Sequence, residues 1–200
     1  MRIIDISQEV LSCKVYPGDP APCGERIKKM EDGEVYNLSR FSMCAHNGTH
    51  IDAPYHFIRD GKTVDEIPGE SFVGNCYVCR RDGFIKAEDA TDILQKAADA
   101  WERILIAGKA TVTAEAAKVF AEAGVKLVGN ESQTVGPEDA PMEVHLILLG
   151  AGVVLLEGIV LKDVDEGKYF LSAMPLCLAG FDGAPCRAYL IEEFDIARMM

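Results

Sequence analysis

Short apolar segments alternate with helical patterns through the second half of this chain, and this alternation most constrains its fold. The spacing of apolar residues predicts helices over residues 87–100, 113–123 and 142–149. Apolar runs and loose alternation predict strands over residues 3–6, 36–45, 72–80, 103–107, 125–128, 153–156, 169–173 and 187–193. Because strands dominate the first half and helices then alternate with strands, we predict one α/β domain with a mixed sheet.

Length and composition exclude several classes of protein. A chain of 200 residues, 48% of them hydrophobic, can bury a core and fits a single domain spanning residues 1–200. Its formal net charge of −12 argues against a nucleic-acid partner and against an anionic membrane surface, since both require a basic face. This balance fits a soluble enzyme and does not by itself show one.

The sequence also bears on location. Its apolar stretches fall far short of the roughly 20 residues that span a bilayer. The first seven residues place an acid inside the apolar run, which is not typical of a signal peptide. The seven cysteines are odd in number and scattered, which favours reduced thiols. We therefore expect a cytoplasmic protein.

Three of the four histidines lie within eleven residues, and their spacing predicts a metal site. In an extended chain His50, Asp52 and His56 share one face, with His50 and Asp52 about 7 Å apart. His46 would lie about 13 Å from His50 in a fully extended chain, so it joins the site only if the chain turns. The intervening Asn-Gly dipeptide favours that turn because both residues tolerate positive φ.

This donor set suits zinc, manganese or iron, because it combines imidazoles with a carboxylate. The alternative is a group of polar loop residues that bind no metal.

The fourth histidine and a distant glutamate form a second candidate pair. His145 has apolar neighbours, so we expect it to be buried, and Glu157 ends a buried strand, where a carboxylate is costly unless paired. A helix, a glycine turn and a strand would bring the two together. The alternatives are a hydrogen-bonded core histidine and an ion pair of Glu157 with Lys162 or an arginine. The first histidine cluster shifts the balance towards metal ligation.

Both segments resemble the cyclase family of metal-dependent hydrolases, which includes bacterial kynurenine formamidases and isatin hydrolases. The family signature HxGTHxDxPxH is matched at every fixed position, by His46, Gly48, Thr49, His50, Asp52, Pro54 and His56. Further similarity lies in residues 5–7, 16–19, 175–176 and 182–188. The resemblance therefore extends over nearly the whole chain.

The resemblance implies two divalent metal ions per chain, zinc first and manganese as the alternative. His46, His50 and Asp52 would bind the first ion. His145 would bind the second ion. Asp52 and Glu157 would contact both.

The resemblance also implies the reaction and the assembly. His56 would be the catalytic proton shuttle, and Tyr16 would place an aromatic ring against the substrate. The implied reaction is hydrolysis of small-molecule amide bonds by metal-bound hydroxide, with N-formylkynurenine as the leading substrate. Opening of cyclic amides or esters and metal binding without turnover are the alternatives. The implied fold is a swivelling β/β/α domain that forms dimers or tetramers.

Two segments depart from the family pattern. Formamidases often carry Gly-x-Asp-x-x-Ser before the downstream histidine, whereas residues 129–134 are Gly-Asn-Glu-Ser-Gln-Thr. The segment after Ala107 lacks the aromatic-rich loop of many relatives. We expect the shorter loop to open the substrate pocket.

Overall fold

The computed structural model describes residues 1–192, and a nine-stranded sheet organises them. The last predicted strand covers residues 187–193, and residue 193 lies outside the described residues. The chain forms strands β1 (Arg2–Asp5), β2 (Cys23–Lys28), β3 (Leu38–Ser42), β4 (His50–Asp52), β5 (Val73–Arg80), β6 (Gly83–Ile85), β7 (Arg103–Ala107), β8 (Ala110–Val112), β9 (Leu127–Asn130), β10 (Val154–Glu157), β11 (Gly167–Ser172), β12 (Gly183–Pro185) and β13 (Tyr189–Glu192).

The nine strands follow the order β1-β13-β11-β5-β7-β9-β10-β4-β12. The middle strands β5, β7, β9 and β10 run parallel, and the pairs on both sides of them are antiparallel. The predicted class, an α/β fold with a mixed sheet, is confirmed. Two small sheets, β2-β3 and β6-β8, accompany it.

Within residues 1–192 three helices connect the strands, as the apolar spacing predicts. They are α1 (Ala87–Ala97), α2 (Ala114–Glu122) and α3 (Met142–Gly150). The Thr113 hydroxyl accepts a hydrogen bond from the backbone N–H of Ala116 and caps α2, while Gly124 at φ +76° follows its end. Helix α1 stops three residues earlier than predicted, because Ala98 adopts a positive φ of 51° and a 3₁₀ turn follows.

The sheet separates two hydrophobic cores, and successive residues of β7 show the division. Ile104 and Ile106 face the helices, where they join Phe120 and Leu148. Leu105 faces the opposite core, which loops cover. Strands buried on both faces explain why β7 and β10 appear in the sequence as continuous apolar runs.

The sequence analysis did not predict five of the strands, namely β2, β4, β6, β8 and β12. Each of β4, β6, β8 and β12 has only three residues, too few for a periodic signal. Within residues 1–192 no helix combines the length and the apolar character needed to span a membrane.

Arg103 fixes the entry to the central strand β7. Its buried guanidinium donates hydrogen bonds to the backbone carbonyls of Glu70, Ser71 and Asn75 and pairs with the Glu102 carboxylate at 3.2 Å. The side chain is only 3% exposed, so water cannot replace it.

We predict that Arg103→Leu lowers the free energy of unfolding by about 3 kcal/mol, because it leaves buried carbonyls unpaired. The matched variant Arg2→Leu removes an exposed ion pair and should cost less than about 1 kcal/mol. Urea unfolding of both variants and the wild type measures the difference. Equal destabilisation by the two substitutions would contradict this role of Arg103.

Candidate active site

A cavity of about 710 Å³ opens on the helix-bearing side of the sheet, and all four histidines line it. Glu157, Tyr16 and Asp182 also contribute to its wall. Its base is the antiparallel pair β4 and β10, where His50 lies opposite Glu157.

Strand β4 supplies the first donors. His50 and Asp52 are both buried and point to one face, as their shared parity predicts, while Ile51 between them packs into the loop-covered core. The chain turns before β4 at Gly48, whose φ is +67°. This turn brings His46 back to the strand, so that its Nδ1 lies 2.7 Å from Asp52 Oδ1.

His145 and Glu157 meet in this cavity. Helix α3 carries His145, and its Nε2 lies 3.4 Å from Glu157 Oε1 and 3.5 Å from Asp52 Oδ2. The remaining carboxylate oxygens face His50, whose Nε2 lies 3.3 Å from Asp52 Oδ1 and 3.6 Å from Glu157 Oε2. Each carboxylate therefore presents one oxygen to His50 and the other to His145.

His56 lines the cavity from a turn, and not from the face of the strand that the sequence predicts. Residues Pro54–His56 form a 3₁₀ turn after β4, so the expectation that His56 continues the strand face is wrong. Proline at the first position of the turn prevents the strand from continuing. The His56 ring nevertheless stacks on His46, with centroids 4.0 Å apart, and packs edge-on against Phe57.

Tyr16 lies on the cavity wall, in the loop after β1. Its hydroxyl donates a 2.7 Å hydrogen bond to the Glu138 carbonyl, which ties this loop to the segment before α3. Gln133 and Thr134 line the same wall, and their side-chain polar atoms have no hydrogen-bond partner within residues 1–192.

Burial and pairing with carboxylates shift the pKa values of the site histidines in opposite directions. Burial disfavours the charged ring of His46, but hydrogen bonds to two carboxylates outweigh it and raise its pKa to about 9. The same balance, with Asp52 and Glu157 as partners, raises the pKa of His50 to about 10. For His145 the two carboxylates again outweigh burial, and its pKa also rises to about 10.

The same contacts lower the pKa of the carboxylate Asp52. Burial would raise the pKa of Asp52, but the facing imidazoles of His145 and His46 hold it well below its usual value. Cationic rings and buried carboxylates thus stabilise each other.

The donor set suits a divalent metal. One donor atom each from His50, Asp52 and Glu157 lie within 4.8 Å of one another, and so do donors from His46, Asp52 and His56. Asp52 Oδ2 is buried and has no hydrogen-bond partner in the described part of the chain. Its nearest site nitrogen, His145 Nε2, lies 3.5 Å away, and a bound cation would satisfy this buried anionic oxygen more closely.

Asp182 is the site residue that the sequence analysis missed. Residue 182 appears there only within the segment 182–188 that resembles the family. The Asp182 carboxylate lies 2.8 Å from His46 Nε2, and the side-chain hydrogen bond from His46 holds its pKa well below the usual value. The resemblance around residue 182 was the signal available in the sequence.

One departure from the family pattern, residues 129–134, contributes Gln133 and Thr134 to the cavity wall, whereas the segment after Ala107 does not line this cavity. Glu131 accepts hydrogen bonds from the backbone N–H groups of Gly108 and Leu161, so it ties three loops together. The segment after Ala107 continues into β8 and lines a separate cavity, and the expectation that its shorter loop opens the substrate pocket stays a prediction. It contacts the wall segment through the Val112 N–H, which donates to Val135.

Comparison with known proteins decides the family. Residues 4–137 match the family model Cyclase, described as "Putative cyclase". The chain belongs to the cyclase family.

Two curated relatives support this membership, and each is similar to this chain over nearly its whole length. A kynurenine formamidase from Erythrobacter litoralis (strain HTCC2594) is 33% identical, over 97% of this chain and 95% of that protein. A kynurenine formamidase from Salinibacter ruber (strain DSM 13855 / M31) is 34% identical, over 98% of this chain and 100% of that protein.

A solved structure shows the same fold. Isatin hydrolase A from Labrenzia aggregata bound to benzyl benzoate superposes with a TM-score of 0.83 at 23% identity. The superposition covers 96% of this chain and 94% of that one.

We predict that the affinity for zinc rises steadily between pH 6.5 and 8.5. The imidazoles must lose their protons to bind a metal, and pKa values of about 9 to 10 keep them charged throughout this range. Competition titrations against a chromophoric chelator at several pH values measure the slope. An affinity that levels off above pH 7, as histidines near their usual pKa of about 6.5 would give, contradicts the prediction.

Proposed function

We propose that this cyclase-family protein is a metal-dependent hydrolase of small-molecule amide bonds, with aryl formamides as substrates and N-formylkynurenine as the leading one. The observation that carries the proposal is the pair of buried carboxylates, Asp52 and Glu157, each with its two oxygens directed towards different histidines. The full-length similarity to two kynurenine formamidases supports the choice of substrate.

The cofactor we propose is two divalent ions per chain, zinc or manganese. His46 and His50 would bind the first ion together with Asp52, whose Oδ1 lies near both rings. His145 would bind the second ion. Asp52 and Glu157 would contact both, because each has an oxygen on either side.

Bound metal would supply Lewis acidity, which lowers the pKa of water and polarises a carbonyl oxygen. The protein contributes the geometry and the proton transfer. In hydrolysis, the oxygen of water bonds to the formyl carbon, the C–N bond breaks, and the leaving nitrogen takes a proton. His56 lines the cavity beside His46 and would accept the proton of water and deliver it to that nitrogen.

The cavity itself fits a small aromatic substrate. Its volume of about 710 Å³ falls within the range of pockets that enclose small molecules. Tyr16, Phe57 and Phe181 give its wall aromatic surface, and we propose that Tyr16 packs against the ring of the substrate.

A cyclic amide or ester is the second candidate substrate. The fold similarity to isatin hydrolase A favours it, because the same cavity position would receive a ring-closed amide. The chemistry is the same, except that the leaving nitrogen stays attached to the product. A metal-binding protein without turnover is the third possibility, and the presence of His56 in the cavity argues against it.

We expect purified protein, loaded with zinc or manganese, to hydrolyse N-formylkynurenine and to lose this activity after chelation. The assay compares N-formylkynurenine, isatin and a lactone. A loaded protein that turns over none of the three would contradict the hydrolase proposal. Preference for isatin would replace the formamidase assignment by the second candidate.

His56→Ala should lower kcat by about 10²- to 10⁴-fold and leave the metal content unchanged, because proton transfer is the step removed. Tyr55→Ala, an exposed change in the same turn, is the control and should keep full activity. Elemental analysis measures the metal in each variant. Loss of metal from His56→Ala would make His56 a ligand and contradict its role as proton shuttle.

We also propose that the protein is a cytoplasmic homodimer or homotetramer. All seven cysteines are free in the structure, which fits a reducing compartment. The β2-β3 hairpin exposes the apolar side chains of Ile27, Met30 and Phe41, and an isolated hairpin is only marginally stable in water. A second copy of the chain would cover this surface.

Light scattering should give a mass of two or four times 21.8 kDa. Phe41→Glu should shift the mass towards a single chain, because it places a charge in the covered surface. A wild-type mass of 21.8 kDa would contradict the assembly.

A further inference from the structure

Asp182 lies just outside the metal-binding donors, at the mouth of the cavity. It directly precedes β12, and its backbone carbonyl accepts a 2.9 Å hydrogen bond from the Ala53 N–H. In the next register position Gly183 lies opposite Asp52 of β4. The backbone therefore fixes the Asp182 side chain beside the end of the strand that carries the donors.

One carboxylate oxygen of Asp182 contacts two histidines. Oδ2 lies 2.8 Å from His46 Nε2 and 3.3 Å from His56 Nδ1. The stacked arrangement of the two rings allows both nitrogens to face the same oxygen. Asp182 Oδ2 therefore links the two stacked rings.

An ionised carboxylate only accepts hydrogen bonds, so the contacting nitrogen of His46 must carry a proton. Its other nitrogen, Nδ1, lies 2.7 Å from Asp52 Oδ1. Two acceptor atoms this close require a proton or a metal ion between them. Asp182 therefore keeps the Nδ1 lone pair directed to the position that a metal would share with Asp52, as outer carboxylates do for metal-binding histidines.

The same reasoning applies to His56. Its Nδ1 donates to Asp182, which leaves Nε2 as the nitrogen that can accept a proton in the cavity. The ring cannot turn over without breaking this bond and the stack on His46. A single carboxylate thus sets the tautomer of a ligand and of the proposed proton shuttle.

Gly183 is needed for the position of the His46 ring. A Cβ atom at residue 183 would lie 2.7 Å from His46 Cε1 and 2.6 Å from the Ile51 carbonyl oxygen. Real Cβ atoms do not approach this closely, so a larger residue would displace the ring or separate β12 from β4. The absence of a side chain at 183 leaves the space that the imidazole occupies.

We infer that Asp182 and Gly183 act together as a positioning pair: Asp182 fixes the protonated nitrogens of His46 and His56, and Gly183 makes room for the His46 ring. This inference rests on the proposed function, since it assigns these residues to the metal site and to proton transfer.

The test uses cobalt(II) as the metal, because its visible absorption reports the geometry of its ligands. Asp182→Ala should bind cobalt about 10- to 100-fold more weakly than the wild type and change the absorption spectrum. Asp182→Asn keeps an oxygen acceptor of the same shape, so its affinity should lie between the two. Asp163→Ala removes an exposed carboxylate elsewhere and is the control.

Gly183→Ala should weaken cobalt binding and alter the spectrum in the same direction as Asp182→Ala, because both displace the His46 ring. Circular dichroism melts establish that each variant is folded. At saturating metal, Asp182→Ala should also lower kcat about 10²-fold and leave KM within about threefold, since the orientation of His56 affects the chemical step.

Unchanged cobalt affinity and spectrum in Asp182→Ala would overturn the inference, whatever the activity of the variant. The proposed function fails in a different way, through a wild-type protein that binds cobalt but hydrolyses no substrate. In that case the affinity and spectrum still decide whether Asp182 positions His46.

Discussion

The pairing of β10 with β4 is the constraint on which the candidate site depends. It places two carboxylates, Asp52 and Glu157, at diagonal positions on one face of neighbouring strands, where both are almost fully buried at the base of a cavity. Two buried anions repel each other and are costly without compensation. Four groups that contact these carboxylates supply positive charge or hydrogen-bond donors, namely His46, His50, His145 and the Val135 N–H. The imidazoles thus compensate the negative charge of the two buried carboxylates, and a divalent metal can also compensate it.

The two cores hold this strand pair in place. Leu155 packs under the helices and Leu156 into the opposite core, so β10 is fixed from both sides before it reaches Glu157. Helix α3 lies over the same strand, which sets the height of His145 above the sheet. The site occupies the boundary at which parallel pairing gives way to antiparallel pairing. There a strand from the first half of the chain meets strands from the second half.

Sequence patterns predicted most of the regular structure and much of the cluster. The helices and the central strands carry long apolar signals, and the turn at Gly48 follows from its residue type. The prediction that His56 continues the strand face was wrong because a 3₁₀ turn replaces the strand after Asp52. Short turns leave no periodic pattern in the sequence. The role of Asp182 escaped because an Asp-Gly dipeptide is common in turns, and nothing local shows that its carboxylate meets a ring 136 positions away.

The sequence by itself determined the fold class, the family resemblance and the residue types that can bind metal. These depend on composition, periodicity and local spacing, which the chain carries without reference to its three-dimensional path. Only the tertiary structure decided which oxygen faces which imidazole, which nitrogen of His46 is free, and why residue 183 has no side chain. Such contacts join residues far apart in sequence at distances near 3 Å, and only the packing of strands and helices fixes positions that closely.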